Sequence, residues 1–137
     1  MSEKAHAGET FFTSVGCMDG RVQKAVNRFA SLIFGAEFAD TVTKAGLDGL
    51  FAHDELDLNE HESVKKMIMV SVRRHNSYGI VVHGHEHCAG NPVDDSQHKK
   101  DIASSVKKIK KMLDGKKVEV KGVYVKLSPR VRIIQVV

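Results

Sequence analysis

The stretch that decides the fold spans residues 79–88 and reads Gly-Ile-Val-Val-His-Gly-His-Glu-His-Cys. Its apolar run, Ile80-Val81-Val82, is bounded by Gly79 and Gly84. A short continuous apolar run of this kind is typical of a central parallel strand that is buried on both faces. The residues that follow, His83 to Pro92, are rich in histidine and glycine and predict a loop.

Apolar runs and amphipathic segments alternate on both sides of this stretch. Strands are predicted over Phe11–Val15, Phe38–Thr43, Val118–Val125 and Val131–Val137. Helices are predicted over Val22–Ile33, from Asn59 to about Arg74, and from Asp94, Asp95 or Ser96 to about Leu113. Asn59 with Glu62 resembles a capping box, and residues 47–58 predict a loop with one helical turn. This order predicts an α/β domain over residues 1–137, with a mostly parallel central sheet flanked by helices and an antiparallel C-terminal edge hairpin.

Length and composition narrow the class of protein. A chain of 137 residues with 42% hydrophobic residues suits one domain with one core. Its longest apolar run is far below the ~20 residues that cross a bilayer. The segment Met1 to Thr10 is polar and has no apolar signal core. We therefore expect a cytoplasmic protein with no membrane partner.

The positive charge comes largely from lysine. The formal net charge is +4, and much of it is contributed by Lys107, Lys108, Lys110, Lys111, Lys116 and Lys117. No recognisable nucleic-acid-binding motif or aromatic-rich strand accompanies these lysines. A solvated helix face explains them better than a nucleic-acid surface.

Candidate metal ligands follow two of the predicted strands. Cys17 comes directly after the first strand, and His85 and Cys88 come after the apolar run at 80–82. Ligand sites in open α/β sheets lie at the carboxyl ends of the strands, so the three side chains converge if these strands are neighbours. Two thiolates and one imidazole are good zinc ligands, and three protein ligands leave a fourth position open. A disulfide or two buried core cysteines are the less favoured interpretations.

Asp19 and Arg21 are the candidate catalytic residues. Asp19 is two residues from Cys17 and should lie close to the metal. Its carboxylate could accept a hydrogen bond from a zinc-bound water, or it could be a fourth ligand in a closed state. Arg21 could hold Asp19 through a bidentate pair that keeps it ionised. We expect the open state.

Taken together, Cys17-x-Asp19-x-Arg21 and His85-x-x-Cys88 resemble the paired motifs of the β-class carbonic anhydrases. The segment Thr43–Gly46 and the terminal strands also resemble that family. The resemblance implies one Zn²⁺ per chain and reversible hydration of carbon dioxide to bicarbonate by zinc-bound hydroxide. It also implies a homodimer or higher homo-oligomer. The alternatives are a zinc hydrolase of carbon disulfide or carbonyl sulfide, and a non-catalytic zinc-binding protein of the same fold.

Further polar residues surround these motifs. Strand alternation predicts that His83 and His87 share a side with His85, where they could relay protons. Partly exposed or hydrogen-bonded loop histidines are the favoured interpretation of both. His98, with the nearby acids Asp94 and Asp95, could shape the mouth of the site, although helix capping is sufficient to explain the acids.

Overall fold

Five strands and four helices alternate in the computed structural model, which describes residues 8–137. The first seven residues of the polar segment Met1 to Thr10 lie outside the described residues. The strands are β1 (Phe11–Gly16), β2 (Phe38–Thr43), β3 (Ile80–His85), β4 (Val120–Lys126) and β5 (Arg132–Gln135). The helices are α1 (Gln23–Phe34), α2 (Leu47–Ala52), α3 (Leu58–Arg74) and α4 (Asp95–Met112). The order of the predicted strands and of the three longer helices is confirmed.

The strands form one sheet in the order β2-β1-β3-β4-β5. The β1–β2, β1–β3 and β3–β4 pairs are parallel, and β4 and β5 are antiparallel. The predicted fold class, a mostly parallel sheet with an antiparallel C-terminal hairpin, is therefore confirmed. Because β1 and β3 are neighbours, with Gly16 beside His83, their carboxyl ends lie side by side.

Helices cover both faces of the sheet. On one face, Val15 and Val82 pack into a buried cluster with residues of α2, α3 and α4. On the other face, Val81 packs with Val22, Val26 and further residues of α1. The continuous apolar run at 80–82 is thus needed because alternate residues of β3 enter two different cores.

One detail of the helices differs from the sequence prediction, and a second agrees with it. Helix α3 is capped by Asp57 and not by Asn59: the Asp57 carboxylate accepts from the Glu60 N–H at 2.8 Å, and Glu60 accepts from the Asp57 N–H at 3.2 Å. Residues 47–58 were predicted to be a loop with one helical turn, and that turn is present as the six-residue helix α2, in which Leu47 and Phe51 are four residues apart and both buried. Within residues 8–137, no helix is both long enough and apolar enough to cross a membrane.

Strand β3 is longer than its apolar run. His83, Gly84 and His85 continue the ladder and pair with Val123, Tyr124 and Val125 of β4. The prediction of a loop from His83 onward was therefore wrong. The two histidines are fully buried, so both rings occupy core positions that apolar side chains would normally fill.

Candidate metal centre

Three buried side chains meet where β1 and β3 end. Cys17 directly follows β1, His85 is the last residue of β3, and Cys88 lies three residues further along the chain. Their potential ligand atoms all lie within 4.8 Å of one another. The two sulfur atoms are 3.7 Å apart and both cysteines are free. The convergence expected from neighbouring strands is present.

His85 is held in the tautomer that a metal requires. Its Nδ1 lies 2.7 Å from the carbonyl oxygen of Glu86, so Nδ1 carries the proton and donates. Its Nε2 is buried and has no hydrogen-bond partner among residues 8–137. A ring nitrogen with a free lone pair beside two thiols matches the donor set that zinc prefers, and the carbonyl supplies the usual orienting contact.

The surroundings of the sulfurs favour a charged thiolate at Cys17. The Cys88 thiol donates to the Cys17 sulfur, which lowers the pKa of Cys17 well below its ordinary value, assisted by the Gly46 N–H at 3.4 Å. The same contact, together with burial, raises the pKa of Cys88. These contacts favour the thiolate form of Cys17, and metal binding would release the proton of the second cysteine.

Asp19 and Arg21 form a bidentate pair beside the three candidate ligands. Arg21 Nε donates to Asp19 Oδ1 at 3.0 Å, and Nη2 donates to Oδ2 at 2.7 Å. The Arg21 guanidinium holds the pKa of Asp19 at about 2. Asp19 Oδ2 lies 3.8 Å from His85 Nε2, but Asp19 is not one of the three residues whose ligand atoms cluster. The carboxylate is near the site and is bound by arginine.

Two supporting residues were missed in the sequence. Gln23, the first residue of α1, donates through Nε2 to the carbonyl oxygens of Cys17 and Asp19, each at 2.8 Å. Glu86 is anchored by Lys126 Nζ at 2.6 Å and by the backbone N–H groups of residues 127 and 128. The sequence indicates these two residues only through their positions, because Gln23 follows the first motif and Glu86 lies inside the second.

The histidines that flank the site differ from each other. His83 is completely buried, and its ring lies so close to Gly16 that a Cβ there would approach it to 2.5 Å. Neither ring nitrogen has a partner within the described part of the chain, and burial lowers the pKa of His83 to about 4. Its interpretation as a partly exposed or hydrogen-bonded loop histidine was wrong. His87 is exposed, and its carbonyl accepts from Arg21 at 3.1 Å.

The residues proposed to shape the mouth of the site lie in different environments. His98 is fully buried and contacts Asp48 at 2.9 Å, so it does not line the mouth. Asp94 caps α4, as predicted. A pocket of about 380 Å³ borders the candidate ligand Cys88, and its other lining residues are all exposed: His87, Ala89, Pro92 and Val93. The space beside the cluster is therefore an open depression.

Comparisons with known proteins agree with this architecture. The family model described as "Putative carbonic anhydrase" matches residues 7–135. Among solved structures, the chain resembles the β-carbonic anhydrase CafA of the fungal pathogen Aspergillus fumigatus with a TM-score of 0.50 and 17% identity. That match covers 93% of this chain and 76% of the fungal one, and it supports the fold. No curated protein sequence matches.

Proposed function

The chain belongs to the carbonic anhydrase family whose model spans residues 7–135, and on this premise we propose that it catalyses the zinc-dependent, reversible hydration of carbon dioxide to bicarbonate. The observation that carries the proposal is the buried cluster of Cys17, His85 and Cys88. Zinc, when bound there, would act as a Lewis acid that makes water nucleophilic near neutral pH. The proposal assigns one zinc ion to each chain.

In this proposal Asp19 is the catalytic hydrogen-bond acceptor. Its carboxylate is ionised at neutral pH, and Arg21 lowers its pKa further, so it can accept a hydrogen bond from the attacking water and orient the oxygen lone pair toward carbon dioxide. Arg21 also donates to the His87 carbonyl at 3.1 Å. It thereby links the Asp19 loop to the Cys88 loop, and this contact supports the assignment of Arg21 as the residue that orients Asp19.

The surroundings of the cluster favour carbon dioxide over its sulfur analogues. A narrow apolar tunnel would suit carbon disulfide, whereas an open cleft would admit carbon dioxide and release the anionic product. The depression beside Cys88 has exposed walls, which supports the second case. The Asp19–Arg21 pair supports the open state over a closed, non-catalytic one, because the carboxylate is held by arginine.

Assembly and location complete the proposal. The family resemblance implies a homodimer or higher homo-oligomer, and we expect the protein to act in the cytoplasm, where two free cysteines remain reduced. Light scattering of the purified protein measures the assembly. A protein that is strictly monomeric and fully active would contradict the proposed homo-oligomer.

The activity is tested by measuring zinc content and stopped-flow carbon dioxide hydration for the wild type, Asp19→Asn and Asp54→Asn. Asp54 is the matched control, because it is also a surface carboxylate paired with a cation, Lys108 at 2.8 Å. We expect Asp19→Asn to retain zinc and lose at least ~100-fold in rate, and Asp54→Asn to retain both. A zinc-loaded wild type with no hydration over roughly pH 6 to 9 would contradict the proposed activity.

A further inference from the structure

A buried amide joins the Cys88 loop to two helices. Asn91 lies three residues after Cys88 and is 9% exposed. Its Nδ2 donates to Asp101 Oδ2 of α4 at 3.0 Å and to Asp48 Oδ2 of α2 at 3.3 Å. Both carboxylates are about 1% exposed. Hydrogen bonds from one amide to two buried carboxylates are strong because they are charge-assisted, so this contact fixes the end of the loop.

The amide lies in a slot that fits it. A Cβ added at Gly49 would approach the Asn91 side-chain atoms to 2.5 Å, so the slot exists only because Gly49 has no side chain. The preceding residue of the loop, Gly90, is equally close to the segment that follows β2: a Cβ at Gly90 would lie 2.5 Å from the Ala45 carbonyl carbon. The loop is therefore packed against α2 and its N-cap, Gly46.

The packed contact between the Cys88 loop and the N-cap of α2 lies beside both sulfurs of the candidate metal centre. The backbone N–H groups of Gly90 and Asn91 favour the thiolate form of Cys88, because they act to lower its pKa against the larger effects that raise it. Gly46, which packs against Gly90 of this loop, donates its N–H to the Cys17 sulfur at 3.4 Å. Asn91 is thus anchored through its side chain and lies three residues after Cys88 in the same loop.

We propose that Asn91 is a positioning residue for the metal centre, because its side chain holds the Cys88 sulfur at the right distance from Cys17 and His85. The inference rests on the zinc site of the proposed function and deepens it. Orienting groups outside the ligand set change metal affinity by about 10- to 100-fold when they are removed. Without the amide, residues 88–91 lose their anchor to the two helices, and the sulfur becomes less well placed.

The structure offers a matched control in Gln97. Its Nε2 also donates to Asp101, at Oδ1 and 2.8 Å, but Gln97 lies on α4 and outside the loop that carries Cys88. In Asn91→Ala, Asp101 keeps Gln97 and His53 as partners and Asp48 keeps His98. Asp101 Oδ2 loses its hydrogen bond in Asn91→Ala, whereas Asp101 Oδ1 keeps His53 in Gln97→Ala, so we expect Asn91→Ala to be the less stable variant in the zinc-free protein. Zinc affinity is therefore compared together with thermal unfolding.

The test measures zinc affinity by chelator competition, the visible spectrum of the Co²⁺-substituted protein, and thermal unfolding of the zinc-free protein. For Asn91→Ala we expect ~10- to 100-fold weaker zinc binding and a weaker thiolate-to-cobalt absorption band. For Gln97→Ala we expect zinc affinity within roughly threefold of the wild type. If Asn91→Ala does not fold, Asn91→Ser provides the same comparison with a shorter donor.

The possible failures are distinct. Equal zinc affinity and equal cobalt spectra in Asn91→Ala and Gln97→Ala would overturn the positioning role and leave the metal site standing. An equal loss of zinc affinity in both variants would also overturn it, because the effect would then follow the stability of α4. A wild-type protein that binds no zinc would overturn both this inference and the proposed function.

Discussion

Gly46 provides the sharpest stability test of the packing around the metal centre. It adopts φ 66° and ψ 29°, in the left-handed region. A Cβ there would lie 2.3 Å from the carbonyl carbon and oxygen of Gly90, and backbone atoms cannot rotate away as the end of a side chain can. Gly46→Ala must therefore displace either the start of α2 or the loop that carries Cys88.

Gly35→Ala is the control that separates the cost of the left-handed backbone conformation from the cost of the steric clash. Its φ of 66° and ψ of 36° match those of Gly46, but nothing lies within 4 Å of a Cβ placed there. Gly35→Ala should cost only the left-handed conformation, about 1 to 2 kcal/mol. Gly46→Ala should cost this amount plus about 1 to 3 kcal/mol of overpacking, so the sum is about 2 to 5 kcal/mol.

Urea unfolding of the zinc-free variants measures this difference, and chelator competition measures their zinc affinity. We expect Gly46→Ala to be the less stable variant and the only one of the two with weakened zinc binding. If Gly46→Ala were no less stable than Gly35→Ala and bound zinc normally, the close contact between residues 46 and 90 would not hold the metal centre together.

Other regions of the protein give three further expectations. Asp57→Ala should cost about 1 kcal/mol in thermal unfolding and Asn59→Ala less than about 0.5 kcal/mol, because Asp57 is the cap of α3; equal effects would contradict this cap. Burial and a neighbouring carboxylate raise the pKa of Tyr124. The folded protein thus keeps this proton when the unfolded chain loses it, so stability should fall as the pH rises above about 10; an equally steep fall in urea titrations of Tyr124→Phe would refute this origin. Arg21→Lys keeps the charge but loses the bidentate geometry, so it should retain zinc and hydrate carbon dioxide more slowly in stopped-flow assays; an unchanged rate would contradict the orienting role.

The hydrophobic pattern was sufficient to predict a mostly parallel sheet with an antiparallel C-terminal pair, but not the order of its strands. The strand at Phe38–Thr43 has the predicted bounds, and α1 ends before Gly35 as predicted, because apolar periodicity and glycine punctuation reflect local burial and backbone freedom. The start of α3 was misplaced because Asp57 and Asn59 are both good caps and each has a glutamate three residues later, so the sequence offers two similar capping boxes. Strand β3 was predicted too short because histidine is a polar residue that is seldom fully buried. The burial of His83 depends on its close contact with Gly16, which the sequence does not reveal.

The candidate ligands could be predicted because their spacing follows from chemistry. The contacts that support these candidate ligands could not be predicted. Gln23 and Asn91 act through side-chain bonds to residues distant in the sequence or to backbone carbonyls, and a single sequence contains no periodic signal for such contacts. Asn91 falls within the loop predicted from His83 to Pro92, and nothing in the sequence indicates its hydrogen bond to Asp101, ten residues away on α4.

The most direct test of the central claim is the X-ray absorption spectrum at the zinc edge of the protein loaded with one equivalent of zinc. The account predicts two sulfur neighbours at about 2.3 Å and one imidazole nitrogen at about 2.0 to 2.1 Å, with a light atom in the fourth position. Cys17→Ser and Cys88→Ser should each remove one sulfur. A zinc shell with fewer than two sulfurs in the wild type would contradict the account.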